Sequence, residues 1–170
     1  FTMLRIGLLG CGNIGHIIAR HAGRFTIVAV FDQVSDRARE IEAISGATAY
    51  QEFDSFIQED FDIVVEAASV SAVKRHAPDV LAHGKDMVIM SVGALTDPGF
   101  RNLIRAKARE NNRKVYIPSG AIFGLDNLKI GRISALKKLL LRTTKSPAAL
   151  GIEADERRQI FSGKANECIK

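Results

Sequence analysis

The sequence predicts an α/β fold built on a doubly wound parallel sheet. Three observations carry that expectation. Short apolar runs recur along the chain, and segments with helical apolar spacing separate them. The first run, Met3–Leu9, leads straight into Gly10-Cys11-Gly12-Asn13-Ile14-Gly15. The second, Phe25–Phe31, ends on Asp32, 22 residues after Gly10.

Met3–Leu9 is the short apolar run that a strand buried on both faces requires. Ile14, Ile17, Ile18 and Ala22 follow at helical spacing, so the glycines join a strand to a helix. Strand, glycines, helix, second strand and terminal acid together form the dinucleotide-binding fingerprint of a Rossmann-type domain. Each part has a physical task. Gly10 permits the tight turn, Gly12 lets a diphosphate approach the backbone, and Gly15 lets the helix pack closely on the strand. Asn13 and Ile14 open the helix, whose free N–H groups and positive dipole end favour phosphate. Asp32 accepts hydrogen bonds from the adenosine ribose hydroxyls and disfavours a 2′-phosphate. NAD is therefore expected to bind at least as well as NADP, with Ser35, Arg37 and Arg39 softening the preference.

The alternation continues. Residues 35–45 read as a helix, Thr48–Tyr50 as a short strand and Glu52–Gln58 as a brief helix. Asp62–Glu66 is a buried strand running into Ala67-Ala68-Ser69. The next helix carries Val70, Val73, Ala77, Val80 and Leu81 on one face, and Gly84 terminates it. Asp86–Ser91 is another strand, ending at Val92-Gly93-Ala94. Asp97 is placed to cap a helix with Pro98 in its first turn, where the missing N–H costs nothing. The apolar face of that helix is Phe100, Leu103, Ile104 and Ala108. Lys114–Ile117 makes a further strand, stopped by Pro118.

Ligands of such sheets bind at the carboxyl ends of the strands. Ala67-Ala68-Ser69, Ser91–Ala94 and Pro118–Ala121 fall there, all small and polar or glycine-containing. They serve equally as plain strand-to-helix turns. Their recurrence on the side that bears the glycine loop favours cofactor lining, so Ala67, Ala68, Ser69, Ser91, Gly93 and Ala121 join the candidate site.

Beyond residue 121 the pattern changes. Residues 125–136 read as a helix, 139–144 and 159–162 as strands, and 164–170 as the start of a helix. Residues 1–121 are thus expected to form the dinucleotide-binding domain, and 122–170 the incomplete start of an α+β substrate and dimerisation domain. The 139–144 strand, left without partners, favours pairing with another chain. A homodimer or higher homo-oligomer is the expectation.

The apolar fraction of 46% and charged fraction of 25% are those of a globular protein. No apolar run approaches the roughly 20 residues that cross a bilayer. No leader pattern precedes the first strand, and two cysteines make no disulfide framework, so a cytoplasmic location is expected. Cys11 reads as a small loop filler, and no metal-ligand spacing stands out. Residues 1–118 carry 14 basic and 14 acidic side chains, whereas 119–170 carry 10 and 5. That excess is a solvated face that can also draw an anionic substrate. Aromatics are scarce and no recognition motif accompanies the charge, which argues against nucleic acid. His16, His21, His76 and His83 fall on helices or at their ends, as surface or packing residues.

Six segments together resemble the L-aspartate dehydrogenase family, whose first domain is similar to that of homoserine dehydrogenases. They are residues 10–15, 66–74, 91–97, 118–126, 142–147 and 160–163, with Pro118-Ser119-Gly120-Ala121-Ile122-Phe123-Gly124-Leu125-Asp126 the most specific. Phe123 stands where the family usually has glycine, and Ser162 where it usually has glutamate. The resemblance implies NAD or NADP as cofactor and a small dicarboxylic amino acid as substrate. It implies reversible oxidation of L-aspartate to iminoaspartate, with hydride passing from C2 to nicotinamide C4 and the imine going to oxaloacetate or NAD biosynthesis. It also implies a longer chain, with the catalytic histidine and a nicotinamide-contacting asparagine beyond Lys170. No catalytic residue is therefore assigned here. Two other readings stand beside it: a homoserine dehydrogenase-like oxidoreductase, and a non-catalytic NAD(P)-binding module.

Overall fold

Six parallel strands, β1 (Leu4–Leu9), β2 (Phe25–Phe31), β3 (Thr48–Tyr50), β4 (Ile63–Glu66), β5 (Asp86–Ile89) and β6 (Val115–Tyr116), lie in the order β3-β2-β1-β4-β5-β6. Helices α1 (Asn13–Arg20), α2 (Ser35–Ser45), α3 (Phe53–Gln58), α4 (Val70–Ala82) and α5 (Pro98–Glu110) connect them, with a 3-10 turn at Val92–Thr96. The computed structural model describes residues 3–120 and, beyond them, only Lys138, Leu140, Arg142 and Thr144. Residues 1–120 form a compact unit separate from 121–170. The elements read from sequence at 125–136, 139–144, 159–162 and 164–170, and the site candidate Ala121, lie outside the described residues.

From β1 the chain winds outward through β2 and β3, then returns past β1 to place β4 on its other side. Winding reverses between β1 and β4, and outside the carboxyl ends of the strands at such a point ligands of open α/β sheets bind. This is the doubly wound sheet read from the sequence.

Each face of the sheet has its own core. On one side Ile6, Leu8, Ile27, Val30 and Ile63 pack with Ala38 and Ile41 of α2 and Ala19 of α1. On the other, Leu9, Phe31, Val64, Met87 and Ile89 pack with Phe53, Phe56 and Ile57 of α3, Val73, Ala77, Val80 and Leu81 of α4, and Ile104 of α5. The period-2 alternation slips once. Ile6 pairs with Ile27 but Gly7 pairs with Ala29, so Val28 is an extra residue and both Val28 and Ala29 turn to the second core. Gly7 admits that core's aromatics, because a Cβ there would lie 2.6 Å from the Phe61 ring.

Helix ends follow local chemistry. Ser69 accepts from Ala72 N–H at 3.1 Å to cap α4, and Asp97 accepts from Gly99 and Phe100 N–H to cap α5. Gly46 ends α2 at a left-handed φ of 72°. At the amino ends of the strands, Lys85 Nζ donates to the carbonyls of Glu59 and Phe61 and sits 4.5 Å from the Phe61 ring centre.

Two helix faces differ from expectation. In α1 the buried residues are Gly15 and Ala19, while Ile14 and Ile17 are 45% and 54% exposed. The helix approaches β1 so closely that only small residues fit between them, so Ile14 and Ile17 turn outward while Ile18 and Ala22 pack against the first core as expected. In α5 only Ile104 is fully buried; Phe100 and Ala108 pack partly, and Leu103 faces solvent. The fifth helix covers the thin outer end of the sheet, where β6 is two residues long.

Candidate dinucleotide site

Backbone hydrogen bonds stitch three strand ends together at the reversal point. Gly10 N–H donates to Phe31 O at 2.9 Å, and Ala67 N–H donates to Leu9 O at 2.8 Å. Gly10 has a φ of +100°, and a Cβ on it would lie 2.6 Å from both Cβ and N of Ala68. The turn therefore tolerates no side chain at that position. Gly15 serves closeness in a different way: a Cβ there would meet the Gly10 carbonyl oxygen at 2.5 Å.

Gly12 is the opposite case. It caps α1 in extended backbone, and nothing stands within 4 Å of where its Cβ would be. No side chain caps the helix, so the first-turn N–H groups of Asn13, Ile14 and Gly15 have no side-chain acceptor. Open space over an uncapped helix start is what a diphosphate requires. The residues present fit the group.

Asp32 lies at the end of β2 beside this turn. Its Oδ2 accepts from Cys11 N–H at 2.7 Å and its Oδ1 from Val34 N–H at 2.8 Å. Both oxygens keep a lone pair for a further donor, and the two bonds fix the carboxylate's orientation. Cys11 is wholly buried in the first core. Burial, and then the neighbouring Asp32 charge, push its thiol up to about 12. It stays a neutral thiol.

The other strand-end candidates gather across the reversal. Ala67, Ala68 and Ser69 bridge β4 to α4, with Ser69 committed to capping. Ser91 precedes the 3-10 turn that contains Gly93, and its hydroxyl donates inward to Glu66 at 2.7 Å. Glu66 itself is the site-region residue that pattern reading left unassigned. A lone acid closing the apolar run Ile63-Val64-Val65, followed at once by small residues, was the available signal. Its carboxylate is fully buried and accepts four hydrogen bonds, from Ala68 N–H, Met90 N–H, Ser91 N–H and Ser91 Oγ.

The four histidines each have a local partner. His16 reaches Gly12 O and Glu40, whereas His21 and His83 each contact a carbonyl of their own helix. His76 is buried and stacks on Phe53 with ring centres 4.0 Å apart. Among the described residues no group of three or more His, Cys, Asp or Glu side chains is placed to hold a metal ion. No helix among them is long and apolar enough to cross a membrane.

Residues 10–118 match the family described as homoserine dehydrogenase, NAD binding domain. The chain is 56% identical over 168 residues to an L-aspartate dehydrogenase of Methanospirillum hungatei, across 99% of this chain and 67% of that one. It is 42% identical over 153 residues to an L-aspartate dehydrogenase of Methanocaldococcus jannaschii, across 87% of this chain and 57% of that one. Among solved structures, aspartate dehydrogenase from Thermotoga maritima superposes with a TM-score of 0.69 at 28% identity, covering 98% of this chain and 66% of the other. The chain thus spans about two thirds or less of the length of these relatives. Sequence identity and fold agree along nearly the whole of the chain, which belongs to the L-aspartate dehydrogenase family of NAD(P)-dependent oxidoreductases and carries an NAD-binding domain of the homoserine dehydrogenase type.

Proposed function

We propose that residues 1–121 hold NAD in the crevice, that 122–170 begin a substrate and dimerisation domain, and that the whole protein oxidises L-aspartate to iminoaspartate. The observation that carries the cofactor assignment is the Asp32 carboxylate, fixed on Cys11 N–H beside an uncapped helix start with open space over Gly12. Asp32 holds the adenosine ribose. The N–H groups of Asn13, Ile14 and Gly15 hold the diphosphate. Gly10 keeps the turn tight, and Ala67, Ala68, Ser69, Ser91, Gly93 and Ala121 line the nicotinamide half. NADP binds no better than NAD, since its 2′-phosphate meets the Asp32 charge, with Ser35, Arg37 and Arg39 softening the preference.

Bound NAD supplies the hydride acceptor. The protein's part is to orient the ligand and to exclude water by close backbone approach at the small-residue turns. The substrate ammonium must lose a proton before oxidation, which requires a base titrating near neutrality. His76, buried and stacked on Phe53, is not placed for that task.

The names of the relatives support aspartate as substrate. Sparse cysteines favour a cytoplasmic protein, and we expect its imine product to be available to NAD biosynthesis and the chain to form a homodimer or higher homo-oligomer. The family match of residues 10–118 favours one rival, a homoserine dehydrogenase-like activity.

Titrating the chain with NADH and NADPH tests the cofactor assignment. Tighter NADPH binding overturns the preference, and no binding of either overturns the site. Assaying the full-length protein with NAD and either L-aspartate or L-homoserine decides the substrate, and turnover of homoserine alone establishes the rival. Mass in solution tests the oligomer.

A further inference from the structure

We infer that Glu66 is a positioning residue, whose buried carboxylate fixes the turn after β4 against the turn after β5 and so sets the floor beneath the nicotinamide half of the dinucleotide. The inference rests on the NAD-binding assignment above.

Glu66 is the last residue of β4, and backbone pairing sets it beside Ile89, the last residue of β5. Beyond that pair the ladder stops, and the Glu66 side chain takes over as the link. Its Oε1 accepts from Ala68 N–H at 2.9 Å and from Ser91 Oγ at 2.7 Å. Its Oε2 accepts from Met90 N–H at 3.1 Å and Ser91 N–H at 2.9 Å. A carboxylate offers about four lone-pair sites, so these donors fill it. One donor belongs to the turn after β4 and three to the turn after β5. Holding both turns on one rigid group fixes their spacing.

A buried carboxylate carries a large desolvation cost, which these four donors offset, and an apolar side chain in its place would leave three backbone N–H groups without their acceptor. Among the described residues, no Lys or Arg forms an ion pair with it. What the four bonds secure is geometry, at the crevice and on one side of it. Asp32 and the α1 start take the adenosine ribose and diphosphate over β2 and β1, so the remaining half of the ligand extends over β4 and β5. Ala67–Ser69 and Ser91–Gly93 are the segments waiting there, and Glu66 sets their separation from below.

The two halves can be weighed separately with NADH and with ADP-ribose, which lacks the nicotinamide. Both ligands are titrated by calorimetry into the chain and into its Glu66→Gln and Glu66→Asp variants, with thermal unfolding to follow the fold. Gln is nearly isosteric, but its amide N–H₂ faces N–H donors. We expect Glu66→Gln to weaken NADH about tenfold, the loss of a hydrogen bond to a charged group, while ADP-ribose stays within about twofold. Glu66→Asp keeps the acceptor head group with a shorter reach and falls between, and it carries the comparison if the Gln variant does not fold. Equal losses for both ligands, or an unchanged NADH affinity, overturn the inference. A parent chain that binds neither ligand overturns the NAD-binding assignment itself, and this inference with it.

Discussion

The Asp32 carboxylate and the Cys11 backbone N–H stand 2.7 Å apart, so the end of β2 and the glycine turn after β1 are one rigid piece. With Val34 N–H on its other oxygen, the carboxylate cannot swing away without stranding the N–H of the buried Cys11. Replacing Asp32 by Ala should cost about 1 kcal/mol of stability, because water reaches this site and makes good part of the loss. NADH affinity should fall while NADPH affinity holds or rises, since the carboxylate accepts from the ribose of the one and repels the 2′-phosphate of the other. Unfolding midpoints and paired titrations check both halves, and an unchanged ratio of the two affinities counts against Asp32 as the ribose acceptor.

The glycines of the turn should separate fold from binding. Gly10→Ala sets a methyl 2.6 Å from the Ala68 backbone in a left-handed conformation, and should cost about 3 kcal/mol or prevent folding. Gly12→Ala meets only open space, and a poorer capping residue there should cost about 1 kcal/mol or less. Its methyl nonetheless occupies the approach of the diphosphate, so NADH affinity should fall steeply in a well-folded protein. Thermal unfolding set beside NADH titration reads the contrast.

Cys11 should be inert and its titration should appear in alkaline stability. Burial and Asp32 raise the folded thiol to about 12, above the ordinary 9.0 of the unfolded chain. Between those values only the unfolded chain loses the proton, so this contribution is full below about pH 9 and disappears as pH rises toward about 12. Cys11→Ala should flatten that part of the stability profile. In the native chain at about pH 8, alkylation followed by peptide mass spectrometry should leave Cys11 unmodified.

His76 acts at the acid end. Burial first, then the Arg75 charge, hold its imidazole below the ordinary 6.5, against weaker opposing pulls from Asp79 and Asp54. The unfolded chain takes up this proton near pH 6.5 and the folded chain does not. Stability from this group is therefore full above that pH and is lost as pH falls through the folded value. His76→Phe keeps a ring against Phe53 and should remove that slope. Urea midpoints measured from about pH 7.5 down to about pH 5.5 would show it, and an identical slope in the variant would refute the assignment.

Much of the site was legible because its chemistry is local. A tight turn, an uncapped helix start and an acid at a strand end each need particular residues at fixed spacing, and Gly10, Gly12, Gly15 and Asp32 satisfy them within one strand-helix-strand unit. Glu66 was not legible in that way, because its partners Met90 and Ser91 lie 24 and 25 residues away and only strand pairing brings them together. Part of the inner face of α1 differs from its apolar pattern for a related reason. Helical spacing marks Ile14 and Ile17 as apolar, but how near the helix comes to β1 decides that Gly15 and Ala19 go inside.

The chain's one-dimensional pattern determined which segments are strands and helices, and which turn leads through glycines into an uncapped helix start, since backbone conformation and amphipathic period are properties of neighbours. Tertiary packing decided which residues touch across the crevice, which isoleucines meet water, and that a buried glutamate ties two turns together. Contact distance between elements remote in the chain is set by the whole sheet's registration, which no short stretch of residues contains.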